Sequence, residues 1–115
     1  MSKTKNKSAV KSLWEILVPK YSNTGIEYSL EHHQKWDEQV RGLTGGLTIL
    51  KKAKGQWINP EGRLFAEEMI PVRINCTRQA ISRIVDITLE HYEQEAVLAY
   101  EISHRVILRY RKPQQ

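Results

Sequence analysis

Six side chains in this sequence could do chemistry as a group: Thr48, Trp57, Glu67, Glu68, Tyr100 and His104. All six fall in segments whose patterning reads as strand or strand edge. Adjacent residues of a strand point to opposite faces, so one of Glu67 and Glu68 meets the surface that the other avoids. A carboxylate on an apolar sheet face needs a partner. Tyr100 or His104 could supply it, giving an acid/base cluster at a subunit interface. The plainer competitor is a solvated glutamate pair beside an amphipathic aromatic edge. Of the tryptophans, Trp14, Trp36 and Trp57 read as core or interface, and Trp57 is expected to be partly exposed because it borders a polar connection.

Other constellations are thinner. His33 and Asp37 lie one helical turn apart and could share a metal, but no H-E-x-x-H or C-x-x-C accompanies them, and no metal or other cofactor is expected. Cys76 precedes a helix start, where a thiol can be acidified. A small buried hydrophobe beside a cap is the plainer reading. Ser103 and His104 are neighbours on a strand and face apart, so they form no nucleophile–base pair. Gly42, Gly45 and Gly46 follow a helix and precede a strand. Phosphate cradles need the reverse order, so these glycines read as a helix cap and turn.

The elements that must position these residues follow from periodicity. Leu13–Val18 is a short, branched apolar run stopped by Pro19, hence a largely buried strand. Residues 20–28 hold turn formers. Ser29 is an N-cap, and Leu30, His33, Trp36 or Asp37, Val40 and Leu43 recur at helical spacing. Leu47–Leu50 resume as a strand, Lys51, Lys52 and Lys54 mark a solvated edge, and Asn59–Gly62 is a turn. Leu64–Ile74 is the next strand, with an edge, bulge or break expected at Pro71 because proline cannot donate to a ladder. Thr77 caps a second helix, whose stripe runs Ile81, Ile84, Val85, Thr88, Leu89 and Tyr92.

From Ala96 to Tyr110 the residues Leu98, Tyr100, Ile102, His104, Val106, Leu108 and Tyr110 alternate. That is strand period two over an unusual length. Such a strand should bend, or extend past the body and pair with another chain. The order βαββαβ predicts an α+β, ferredoxin-like fold: a four-stranded antiparallel sheet with both helices on one face and a long last strand.

The run Gly46-Leu47-Thr48, then Gly55-Gln56-Trp57, then Pro60-Glu61-Gly62 and the glutamates Glu67 and Glu68, resembles a family of small uncharacterised bacterial proteins. Their shared pattern is GLT, G-x-W, a Pro-acidic-Gly turn and a glutamate, in a ferredoxin-like frame. The resemblance covers about two thirds of the chain. It implies a fold and no reaction.

With 115 residues the chain is one domain. Residues 1–11 and 111–115 are expected to be disordered tails around a domain spanning 12–110. The net charge of +5 is unevenly spread. Seven of the 18 basic residues lie in residues 1–11 and 109–115, which hold no acid, and the other 11 stand against 13 acids. Basic tails can bind phosphate backbones weakly, but the body does not read as a nucleic-acid interface. No apolar run is long enough to cross a bilayer, and the lysine-rich start has no apolar stretch of a secretory signal. A lone cysteine suits a reducing compartment, so a cytoplasmic location is expected.

The function expected from these features is a homo-oligomeric ligand- or protein-binding module, with a homodimer as the simplest form. The open sheet face would carry the ligand. A cofactor-free enzyme with a Glu/His acid-base pair is the alternative, and a tail-mediated nucleic-acid binder comes third.

Overall fold

The computed structural model describes residues 10–113. The expectations for residues 1–9 and 114–115 lie outside that range. The described chain runs β1 (Lys11–Pro19), α1 (Leu30–Thr44), β2 (Thr48–Ile49), β3 (Ala53–Ile58), β4 (Leu64–Thr77), α2 (Arg78–His91) and β5 (Ala99–Ser103). The βαββαβ frame expected from the sequence is present with one strand more, since Ala53–Ile58 pairs as β3 where a solvated connection was expected. In the sheet, β5 pairs with β1, β1 with β4, and β4 with both β2 and β3, all antiparallel. β2 and β3 follow one another along the same edge of β4. Five strands therefore fill four positions.

Pro71 explains why that edge is split. It sits mid-strand in a β4 that continues without a break. Its carbonyl accepts from Leu50 N at 2.9 Å, so its missing N–H also faces the β2–β3 edge. The interruption expected in β4 falls instead on the neighbour, at Leu50–Lys52. A strand cannot keep its ladder opposite a position with no donor.

Both helices begin as their caps dictate. Ser29 Oγ accepts from His32 N at 3.1 Å, and Thr77 Oγ1 accepts from Ala80 N at 3.1 Å. Gly45 ends α1 in the left-handed conformation at φ 89°. The buried stripe of α1 is narrower than its periodicity suggests. Trp36 and Val40 are buried, whereas Leu30 is 72 % and Leu43 43 % exposed. Its outermost apolar positions stay partly or largely in solvent.

The two helices lie together on one face of the sheet. Trp36, Val40, Ile81, Ile84 and Tyr92 pack there on Ile16, Val18, Val72 and Ile74. Trp36 Nε1 donates to Thr88 Oγ1 at 2.9 Å, so neither buried polar atom is orphaned. At the end of the layer His32 and His91 stack with centroids 4.0 Å apart. Each ring Nε2 lies within hydrogen-bond reach of the other's backbone carbonyl, at 2.9 and 2.7 Å. This ties the start of α1 to the end of α2.

Cys76 is buried in the same layer, and burial pushes its thiol up to about 11. Desolvation thus outweighs the acidifying effect considered for a thiol near a helix start.

The last strand is shorter than its alternation. Pairing stops at Ser103, opposite Leu13, and residues 105–113 are exposed and form no helix, strand or turn. β1 begins at Lys11, so among the described residues the alternating segment outruns the strand it pairs with. No helix is long and apolar enough to cross a membrane among the described residues.

Candidate functional site

Strand parity assigns the residues of the uncovered sheet face. Ile16 and Val18 point into the core, so Glu15, Leu17 and Pro19 point away from the helices. Register then carries the assignment across the sheet. Glu15 pairs with Arg73 on one side and Tyr100 on the other, and Arg73 pairs with Thr48. Thr48, Arg73, Glu15 and Tyr100 thus form one row across four strand positions.

At the centre of that row lies an ion cluster. Glu15 is only 7 % exposed. Arg73 Nε donates to its Oε1 at 3.0 Å, and the Tyr100 hydroxyl donates to Oε2. Burial works against the charge of Glu15, but the hydrogen bonds from Tyr100 and Arg73 outweigh it and hold the carboxyl below its ordinary value. The bond to Glu15, with burial behind it, pushes the Tyr100 phenol up. The cluster is structural first: it satisfies a carboxylate that the strand has carried out of water.

Further along the same face is a groove of about 360 Å³. Leu17, Pro19, Met69 and Leu98 supply its apolar walls, and Trp57 and Glu67 stand at one end. The β3–β4 hairpin builds that end. Gly55 pairs with Glu67 and Trp57 with Phe65, and the two rings stack at 6.2 Å. Trp57 is 37 % exposed, as its place beside a polar turn led one to expect. A Cβ at Gly55 would stand 3.0 Å from Met69 Cε and 3.6 Å from Trp57 Cζ3, so the glycine keeps the groove open. Burial alone pushes the Glu67 carboxyl above its ordinary value. Among the described residues no cation offsets that burial.

The structure brings two of the six expected residues together, Trp57 and Glu67. Glu68 faces the other way and pairs with Lys52 at 3.1 Å. Thr48 and Tyr100 share the row of Glu15, one on each side of the Glu15–Arg73 pair. His104 follows the end of β5, level with the start of β1, and is exposed at the opposite end of the sheet from Glu67. His33 is on the helix layer, its Nδ1 2.6 Å from the Tyr92 hydroxyl. Neither histidine lines the groove. Sequence reasoning missed Glu15 and Arg73. The available signal was a glutamate inside the otherwise apolar run Leu13–Val18. No three His, Cys, Asp or Glu side chains converge among the described residues.

No protein-family model matches the chain, and no curated protein matches it in sequence. Solved structures do. A phage SAM lyase in complex with S-methyl-5'-thioadenosine superposes with a TM-score of 0.65 at 15 % identity, over 84 % of this chain and 83 % of that one. CutA1 from a psychrotrophic Shewanella gives 0.60 at 10 % identity, over 90 % and 87 %. The periplasmic divalent cation tolerance protein CutA from Archaeoglobus fulgidus gives 0.57 at 15 %, over 89 % and 88 %. The frame is ferredoxin-like. At these identities the likeness extends to the fold alone, and the groove must be read from its own residues.

Proposed function

We propose that this ferredoxin-like chain is a small-molecule-binding module that works as a homo-oligomer, with the groove between Trp57 and Leu98 as its ligand site. The observation that carries the reading is Glu67: a carboxylate raised by burial, with no cation beside it, at the end of an apolar groove next to a half-exposed tryptophan. Such a site favours a ligand with a flat ring for Trp57, an apolar body for Leu17, Met69 and Leu98, and one cationic or hydrogen-donating group for Glu67. An adenine nucleoside bearing a thioether fits each requirement. Its exocyclic amine can donate to the carboxylate, its ring can stack, and its thioether can lie against Met69 and Leu98.

The compound held by the phage SAM lyase is of this class, and supplies the first probe. Titrating the protein with S-methyl-5'-thioadenosine should change tryptophan emission saturably, with a dissociation constant below about 1 mM. Gly55→Val, which fills the groove, should abolish the change while the protein stays folded. No saturable response, and no small molecule co-purifying in a native mass spectrum, would overturn the reading.

A second reading is enzymatic. A carboxyl raised by burial holds its proton more readily than an ordinary glutamate, so Glu67 alone could serve as an acid/base group in place of the expected Glu/His pair. Incubation with SAM, followed by chromatography for S-methyl-5'-thioadenosine, decides between the two. Turnover that Glu67→Gln abolishes favours the enzyme, and binding without turnover favours the module. The buried lone cysteine is in keeping with a reducing, cytoplasmic setting.

A further inference from the structure

A second cleft lies beside the groove, on the far side of β4. β1 ends where Pro19 pairs with Met69, yet β4 extends back to Leu64 with only β3 alongside. The last bond on the vacated side is Lys20 N to Glu68 O at 3.2 Å. By the two-residue period of a ladder, the backbone groups of Ala66 and Leu64 point the same way as those of Glu68. They face a cleft of about 660 Å³, whose far wall is the loop of Tyr21, Ser22 and Asn23. Among the described residues no strand fills it. A row of unpaired N–H and C=O groups at the floor of a cleft is a template for an added strand.

The same chain carries a strand-patterned segment that pairs with no other among the described residues. Residues 105–113 are exposed and unpaired, and Val106, Leu108 and Tyr110 alternate with other positions as a strand requires. The segment holds Arg105, Arg109, Arg111 and Lys112 and no acid. The cleft holds Glu67, Glu68 and Glu95 against Arg63 alone. Glu68 has Lys52 as a partner, whereas Glu67 has no ion pair among the described residues.

The segment does not lead to its own cleft. β5 runs antiparallel to β1 and leaves the sheet at Ser103, opposite Leu13, heading away from Pro19. The six-residue step from Leu13 to Pro19 is about 20 Å of strand, which the segment would have to retrace after a full reversal. We infer that residues 105–112 of one copy add as a strand to the open Leu64–Glu68 edge of a second copy, walling the Glu67 end of the ligand groove. This deepens the homo-oligomer proposed above, and rests on it, by naming the contact. The cation-rich segment would then supply the charge that the acidic cleft lacks, and a groove whose outer end is open in one chain would be closed by the next.

The test is solution mass, by light scattering, on the full chain and two full-chain variants. One reverses the segment's charge (Arg109→Glu, Arg111→Glu and Lys112→Glu) at exposed positions outside every helix and strand. The other, Ala66→Pro, removes the N–H that faces the cleft. The native chain should run as an oligomer. Both variants should weaken association at least tenfold, toward the 13.4 kDa protomer. Mixing the charge-reversed chain with a Glu68→Lys, Glu95→Lys chain should restore the mass of the assembly. A native chain that is monomeric would overturn the oligomer and this contact together. A native oligomer whose mass the charge-reversed variant leaves unchanged would overturn the contact alone. Should Ala66→Pro fail to fold by circular dichroism, the charge-reversal arm decides.

Discussion

The two faces of the sheet solve opposite problems with the same strands. On the helix side the residues at alternate positions of β1 and β4 are Ile16, Val18, Val72 and Ile74, and two helices cover them completely. The buried polar atoms of Trp36 and Thr88 are brought in as partners of one another. On the other side the intervening positions are Glu15, Leu17, Arg73 and Met69, a mixture of charge and hydrocarbon with no layer above it. There the charges are satisfied laterally, strand to strand, and the half-buried Glu67 carboxylate has no ion-pair partner among the described residues. The covered face stores stability, while the open face leaves polar and apolar side chains exposed, and it is there that the proposed ligand site lies.

Mutations can break that contrast. Trp36→Ala should cost the most, about 3–5 kcal/mol in chemical unfolding, because it opens a cavity and removes the donor to Thr88 Oγ1, whose hydroxyl keeps only its bond to Ile84 O. If the loss were under about 1 kcal/mol, the helix layer would not be the stabilising face. Glu15→Gln should cost less, about 1–3 kcal/mol, by weakening charge-assisted bonds and leaving Arg73 uncompensated. Its effect is tied to pH. The folded-state pKa of Glu15 lies below its unfolded value, so the stabilisation is present above the ordinary glutamate range and is lost as pH falls through the folded value. The variant should therefore differ from the native protein at neutral pH and converge with it in acid. Tyr100→Phe removes one of the two donors and should cost about 1 kcal/mol, with a carboxyl at position 15 that titrates higher by NMR.

Glu67→Gln should have the smallest effect and the opposite sign. Burial raises this carboxyl in the folded state, so its ionisation opposes folding as pH rises through that window. Removing the charge should leave stability unchanged or a few tenths of a kcal/mol higher at neutral pH, while abolishing the response to a ligand that donates to the carboxylate. A loss of stability as large as that of Glu15→Gln would mean that Glu67 has a structural partner, and the contrast between the two glutamates would collapse.

Much of the frame was legible in the residues. Ser29 and Thr77 announced both helices because capping is local chemistry: a side-chain oxygen two or three residues from an orphan N–H. The exposure of Trp57 followed from its neighbours in the chain. Glu15 was not legible as a site, because its meaning depends on Arg73 and Tyr100, which are 58 and 85 residues away in sequence. The choice between Glu67 and Glu68 was not legible either. Parity says that one glutamate faces the groove, but only register says which.

By itself the sequence determined the order of elements, the caps, the amphipathic stripes and the alternation, since each arises from contacts within a few residues. Tertiary structure decided that the proline in β4 would break its neighbour rather than itself, and that the last alternating segment would run out of partner at Ser103. It also decided that two of six candidate residues would share a groove. Those outcomes depend on which strands lie side by side and in what register. Hydrogen-bond geometry across the sheet fixes both, and no short-range pattern encodes either.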